Sequence, residues 1–294
     1  MQNTISIVPS EVAVSELHAC LLGAVGPRPI AFASTMDENG RPNLSPFSFF
    51  NVFGTNPPIL IFSPARRVRD NSTKHTLNNV LKTKEVVINI VDYAMVQQVS
   101  LASTEYDEGV NEFVKAGLGM QESDLVKPYR VAESPVQFEC RVTKVEALGE
   151  GGGAGNLVFS EVLKIHLKKH ILNKDGSIAP EKIDQVARMG GNWYCRAKAG
   201  LFEVPKPLNT RGIGVDRIPA ELRQSKLLNG NDLGKLGNVA ELPSREEIGE
   251  FVSANDEISA IISHSDEAGR FRKAKEYLSN NEVLSAWKVL LAKP

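Results

Sequence analysis

The stretch SPARRVRDNSTKHT, residues 63–76, gathers Arg66, Arg67, Arg69 and Lys74 with the hydroxyls of Ser63, Ser72, Thr73 and Thr76. HTLNNVLKT follows, with Ser72 or Thr73 placed to cap it, so the spacing predicts a helix that starts here. Guanidinium, ammonium, hydroxyl and free backbone N–H groups at a helix start are what a dianionic phosphate requires. A basic surface loop has the same residue content. Upstream, NLSPFSFFN (43–51) sets Ser45, Ser48 and Asn51 beside Phe47 and Phe50, and Pro46 removes one N–H and stiffens the segment.

Rings next to small polar groups suit a flat ligand with apolar faces and polar edges, such as a flavin. They equally suit an aromatic corner of the core whose polar side chains bond internally. Other motifs carry less. GEGGGA (149–154) fits a loose dinucleotide pattern, but a strand-like NLVFSEVLKIHL follows it where a helix is needed, so it reads as a hairpin connection. His166 and His170 have the spacing of two ligands on one helical face. On a strand they fall with Lys164 and Lys168 on a solvated face, and no metal is expected. No pair of cysteines has zinc-ligand spacing, and there is no nucleophile elbow.

The elements that must position these groups are mostly β. RPIAFAST (28–35), NLSPFS, ILIFS (59–63) and VVINIV (86–91) read as strands, and Asn39-Gly40 supplies a turn. VQFECRVTKVEAL (136–148) alternates, with Val136, Phe138, Cys140 and Val142 on one face and Gln137, Glu139, Arg141 and Thr143 on the other. NLVFSEVLKIHLKKHIL (156–172) is a second long strand candidate. YAMVQQVSLAS (93–103) and VNEFVKAG (110–117) read as short helices. Many strands without regular strand–helix alternation predict a barrel with peripheral helices: a mainly β fold. VPKPL (204–208) reads as a linker, and helical spacing takes over from Ser244, which forms a capping-box pattern with Glu247. Residues 1–203 are therefore expected to form one domain, and 204–294 a linker and helical C-terminal extension.

The chain has 294 residues, 42% of them hydrophobic, and a formal net charge of −1. It can bury a sizeable core, and nucleic acid or anionic membrane is not an expected partner. No apolar run reaches membrane-spanning length, and the N-terminus does not read as a signal peptide. Three widely spaced cysteines, Cys20, Cys140 and Cys195, point to reduced thiols and a cytoplasmic location.

The order GPRPIAFASTMDENGRPNLSPFSFFNVFGTNPPILIFSPARR…KHTLNNVLKTKEVVINIV resembles the flavin reductase-like family of FMN-binding split barrels, its flavoredoxin branch in particular. The likeness returns at ESPVQFECRV (133–142), NLVFSEV (156–162) and DQVARMGGNWYCR (184–196), and covers about the first 200 residues. It implies a six-stranded antiparallel split β-barrel that forms a homodimer and holds FMN non-covalently near the interface. Carried over by position, Thr35 and the segment Ser45, Pro46, Phe47, Ser48, Phe50 and Asn51 would line the isoalloxazine. Ser63, Arg66, Lys74 and Thr76 would hold the phosphate, with His75 standing where the family usually has Asp. Asn156, Arg188 and Tyr194 would lie on the substrate side. The implied activity is an FMN-dependent oxidoreductase that passes electrons from NADH or NADPH through flavin to a small-molecule or protein acceptor. No catalytic base is expected, since the chemistry belongs to the cofactor. Nicotinamide-using members often carry Gly-Asp-His before the strand at 157–162; here the residues are Gly155-Asn156-Leu157. The alternative is therefore an FMN-binding electron carrier or sensor without its own nicotinamide site.

Overall fold

The computed structural model describes residues 3–205 and 211–293. The chain divides into two compact units, Met1–Phe202 and Glu203–Pro294. The expected VPKPL linker falls partly on residues 206–210, outside the described residues.

The first unit opens with helix α1 (Val14–Ala24), then strands β1 (Ala31–Met36), β2 (Pro42–Phe47), β3 (Phe50–Thr55) and β4 (Pro58–Phe62). Helix α2 (His75–Thr83), β5 (Glu85–Ile90), α3 (Val96–Leu101) and α4 (Glu112–Ala116) follow. After the short strands β6 (Met120–Gln121) and β7 (Arg130–Val131) come the long β8 (Val136–Ala147) and β9 (Asn156–Leu167). Helix α5 (Pro180–Ile183) and the hairpin of β10 (Val186–Arg188) and β11 (Tyr194–Arg196) complete it.

Seven strands form one antiparallel sheet in the order β2-β1-β5-β8-β9-β4-β3. Its two edge strands, β2 and β3, are joined by only Ser48 and Phe49. A sheet whose opposite edges are two residues apart must curl until they meet, and this closes a barrel that stays split at that corner. Pro46 is tolerated in β2 because an edge strand can lose a ladder donor. The resemblance implied six strands and the sheet holds seven. β3 had no signal of its own, because FNVFGT is a half-exposed edge without the apolar run of a buried strand.

β1 is buried on both faces, which explains its unbroken small and apolar run. Ala31 and Ala33 face the barrel interior with Phe47, Phe62, Val86, Ile88 and Cys140. Ile30 and Phe32 face a second apolar layer with Val99 and Phe113 from α3 and the α4 segment. Leu77 and Val80 of α2 pack into the interior cluster, so this helix closes the barrel there.

Two local expectations are corrected. Helix α2 begins at His75 with Lys74 as N-cap, and no side chain caps it. Thr73 donates to Asn78 Oδ1 (2.9 Å) instead, and Ser72 is held by Asp70. β9 ends at Leu167, so His170 lies in a single 3-10 turn. His166 is not on a solvated face: its Nε2 lies 2.6 Å from Oε1 of the fully buried Glu139.

The second unit carries α6 (Ala220–Arg223), α7 (Gly230–Leu236), α8 (Arg245–Ser253), α9 (Asp256–Ser263), α10 (Glu267–Ser279) and α11 (Val283–Leu291). Ser244 and Glu247 form the capping box read from the sequence. The core of this unit centres on Trp287, which is fully buried and donates through Nε1 to the Leu236 carbonyl (3.0 Å). Among the described residues no helix is long and apolar enough to cross a membrane.

Candidate functional site

The loop after β4 and the start of α2 meet the loop between α3 and α4 at a small polar cavity. Asn43, Ser45, Lys74, His75 and Thr76 line it, as do Arg67, Ser103, Thr104, Glu105, Tyr106 and Glu112. Four of the residues singled out from the sequence, Ser45, Lys74, His75 and Thr76, are thus brought together. The first turn of α2 opens at the cavity, and its amides lack a side-chain cap. Two cations, several hydroxyls and a helix start suit a phosphate group.

The arginine that lines the cavity is Arg67, not Arg66. Arg66 turns away and donates to Oδ1 (2.6 Å) and the carbonyl oxygen (2.7 Å) of Asn71. Arg67 donates to Ser72 Oγ (2.9 Å), the Thr73 carbonyl (2.8 Å) and Glu105 Oε1 (2.8 Å). Neighbouring arginines in an irregular loop have no periodicity to say which one turns inward, so the sequence could not separate them.

Behind the cavity lies a buried amide–hydroxyl network. Asn43 Nδ2 donates to Thr76 Oγ1 (2.9 Å) and Thr35 Oγ1 (3.2 Å), and Asn79 Nδ2 donates to Thr35 Oγ1 (3.0 Å). Thr35 is fully buried here and does not line the cavity. The network ties β1, β2 and α2 together and fixes the Thr76 side chain. Glu112, also buried, accepts from the Leu44 amide (3.0 Å); burial raises its pKa despite that bond.

The glycine-rich hairpin braces the cationic loop from the other side. It joins β8 to β9, as the sequence suggested. Arg66 N donates to Ala154 O (2.8 Å) and Gly153 N to Arg66 O (3.0 Å). A Cβ at Gly152 would lie 3.0 Å from Val68 O and 3.1 Å from Arg67 O, so a larger residue would push this backbone approach apart by a few tenths of an ångström. Ser63 and Asn156 clasp the same region: Asn156 N donates to Ser63 Oγ (3.0 Å) and Asn156 Nδ2 to Pro64 O (2.9 Å). Both residues are buried, and the Asn156 amide is committed to the backbone.

The remaining part of NLSPFSFFN divides between core and corner. Phe47 packs inside the barrel, its ring centroid 5.4 Å from that of Phe62, so it is not a free wall for a ligand. Phe50 packs against the same core. Asn51 is exposed and accepts from the Val52 amide (2.8 Å). Ser48 sits at the corner within 3.5 Å of Arg28 Nε. Arg28, missed in the sequence although it lies in the quoted GPRP, is buried. It donates to the carbonyls of Leu22 (2.6 Å), Val25 and Met189 (2.9 Å), and so ties the end of α1 to the β10–β11 hairpin. Burial and then the neighbouring Arg188 charge push its pKa down; the carbonyls offset that cost. Within the hairpin, Arg188 stacks 4.5 Å from the Tyr194 ring centroid and donates to Gly191 O (2.8 Å). Arg188 and Tyr194 adjoin the Ser48 corner through Arg28 and are not part of the cationic cavity.

Residues 24–180 match the model of the flavin reductase like domain. An uncharacterized protein from Aquifex aeolicus is 37% identical over 190 residues, which is 65% of this chain and 94% of that one. Among solved structures, nitrilotriacetate monooxygenase component B from Bacillus cereus aligns with a TM-score of 0.65 at 27% identity, covering 69% of this chain and all of that one. Flavoredoxin of Desulfovibrio vulgaris aligns with a TM-score of 0.53 at 20% identity over 62% of this chain and 91% of its own, a likeness of fold. With its split barrel and a domain match over more than half its length, the chain belongs to the flavin reductase-like family.

Proposed function

We propose that this protein binds FMN and acts as an oxidoreductase that passes electrons from NADH or NADPH through the flavin to a small-molecule or protein acceptor. The observation that carries the reading is the convergence of Arg67, Lys74, Thr76, Ser103 and Thr104 at the uncapped start of α2. These groups fit a terminal phosphate, and a phosphomonoester favours FMN over a flavin without one. From Asn43 at the cavity, the chain runs along β2 to Ser48 at the barrel corner, about 16 Å further when extended. Ser45 and Ser48 are both half-buried and offer hydroxyls for the edge of a ring system.

Bound flavin supplies the electron-transfer chemistry. Arg67 and Lys74 anchor the phosphate, the Thr35–Asn43–Thr76–Asn79 network keeps that anchor in place, and hydroxyls along β2 orient the polar edge. No side chain needs to act as a general acid or base.

A carrier or sensor without its own nicotinamide site is the second reading, and Asn156 favours it. Its side chain is buried and holds the Pro64 carbonyl, so it offers nothing to a nicotinamide. An anaerobic absorption spectrum of the FMN-loaded protein separates the two. Bleaching of the flavin band on adding NADH or NADPH supports the reductase. A band that persists with both but bleaches with dithionite supports the carrier.

Assembly as a homodimer is part of the same proposal. No residue from 3 to 27 is buried within the chain, although Ile5, Ile7, Val14, Leu21 and Val25 are apolar. Leu163, Ile165 and Leu167 on one side of β9 are likewise exposed. Such a surface calls for a partner, and a second copy is the simplest one. Sedimentation equilibrium is expected to give twice the chain mass; a monomer at micromolar concentration would refute this.

A further inference from the structure

The cations around the cavity already share an anion supplied by the chain. Glu105 stands in the loop between α3 and α4, and its carboxylate is met by three basic side chains. Arg67 Nε lies 2.8 Å from Oε1, Arg69 Nη2 lies 2.8 Å from Oε2, and Lys74 Nζ lies 3.6 Å from Oε1. Bonds from Arg67 and then Arg69 lower its pKa to about 2, so it stays ionised through the neutral range. Arg67 and Lys74 are the two cations that a bound phosphate would need. They cannot serve the carboxylate and a phosphate in full at once.

We infer that Glu105 is an internal counter-ion that competes with the cofactor phosphate for Arg67 and Lys74, so that binding requires its displacement. The inference rests on the FMN reading above. Its geometry allows the exchange. The Glu105 side chain is 40% exposed, and solvent lies next to it. Arg69 is 71% exposed and can follow the carboxylate outward, leaving Arg67 and Lys74 for the phosphate. A singly charged carboxylate holds two cations less strongly than a dianion does. The competition therefore lowers the affinity of any anion that needs Arg67 and Lys74, a weakly charged one more than FMN, and leaves a ligand without a terminal charge unaffected. Glu105 acts here as a competitor for the phosphate position and takes no part in electron transfer.

The test is Glu105→Gln, which keeps the shape and removes the charge. FMN and riboflavin binding are measured by quenching of flavin fluorescence, and inorganic phosphate by its displacement of FMN. The variant is expected to bind FMN and phosphate roughly tenfold more tightly than wild type. Riboflavin, which has no phosphate, is expected to bind with unchanged affinity. A purely structural role for Glu105 predicts the opposite sign, because Arg67 and Arg69 would lose an organiser and the loop would loosen. FMN affinity that is equal or weaker in the variant overturns this inference and leaves the FMN reading standing. Failure of both proteins to bind FMN or phosphate overturns both together.

Discussion

Exchanging Lys74 and Arg67 together for glutamate is expected to weaken FMN binding at least roughly 100-fold. A charge-assisted hydrogen bond to phosphate is worth about 1.5–3 kcal/mol, or about tenfold or more in affinity for each cation lost. Reversal adds repulsion between the new carboxylates and the phosphate. Arg67 also braces its own loop through Ser72 and the Thr73 carbonyl, so the double variant disturbs more than charge. Lys74→Ala is the cleaner companion, because the ion pair recorded for Lys74 is a loose one of 3.6 Å to Glu105. It is expected to cost about tenfold in FMN affinity and nothing in riboflavin affinity. FMN titration of both variants against riboflavin reads the phosphate contribution separately from the ring. Wild-type FMN affinity in the Lys74→Ala protein would remove Lys74 from the phosphate site.

The sign of this effect is opposite to that expected for Glu105→Gln, and the two substitutions act on the same ion pair. Agreement of both would place the phosphate between Arg67 and Lys74. A gain of affinity cannot come from a general loss of fold, and unchanged riboflavin binding by Lys74→Ala excludes that cause for its loss.

Much of the barrel was legible because its strands carry their own pattern. β5 and β1 are buried on both faces and read as short apolar runs. β8 alternates from Val136 to Thr143. Lys74, His75 and Thr76 were legible as a group, since they lie at a helix start that apolar spacing reveals. What escaped notice depends on contacts distant in sequence. Glu105 and Arg67 are 38 residues apart, and nothing local announces their pairing. Phe47 was open to two readings, as core or as ligand wall, because a ring in an edge strand fits both until the position of Phe62 is known. Asn156 resembled a replacement for a functional residue, yet its carbonyl partner lies in a loop 92 residues away. Alternation in β8 separated Glu139 from the apolar face correctly but could not show that the polar face is also covered. The segment around Asp124 and Leu125 covers it.

That covering makes Glu139 the position in the first unit where a substitution is expected to be most damaging. Its side chain is fully buried. Oε1 accepts from the Asp124 amide (3.0 Å), Oε2 accepts from the Leu125 amide (2.6 Å), and His166 Nε2 meets Oε1 at 2.6 Å. Burial, the largest single influence on its pKa, acts upward. The Asp124 amide, His166 and the Leu125 amide together outweigh it and hold the pKa below the ordinary value. Glu139→Ala leaves two part-buried amides and an imidazole without their buried partner, and breaking a buried pair in this way costs about 3–5 kcal/mol. For a unit of this size the melting temperature should fall by roughly 10 °C. A drop under about 3 °C would show that these contacts of Glu139 add little. The pH profile gives an independent sign. A carboxylate with a depressed folded pKa contributes stability that is complete above its unfolded value and is lost as pH falls through the folded one. Wild type should therefore lose stability below about pH 5 more steeply than Glu139→Gln, which has no proton to take up. Parallel profiles would mean that the buried carboxylate does not govern the acid limb.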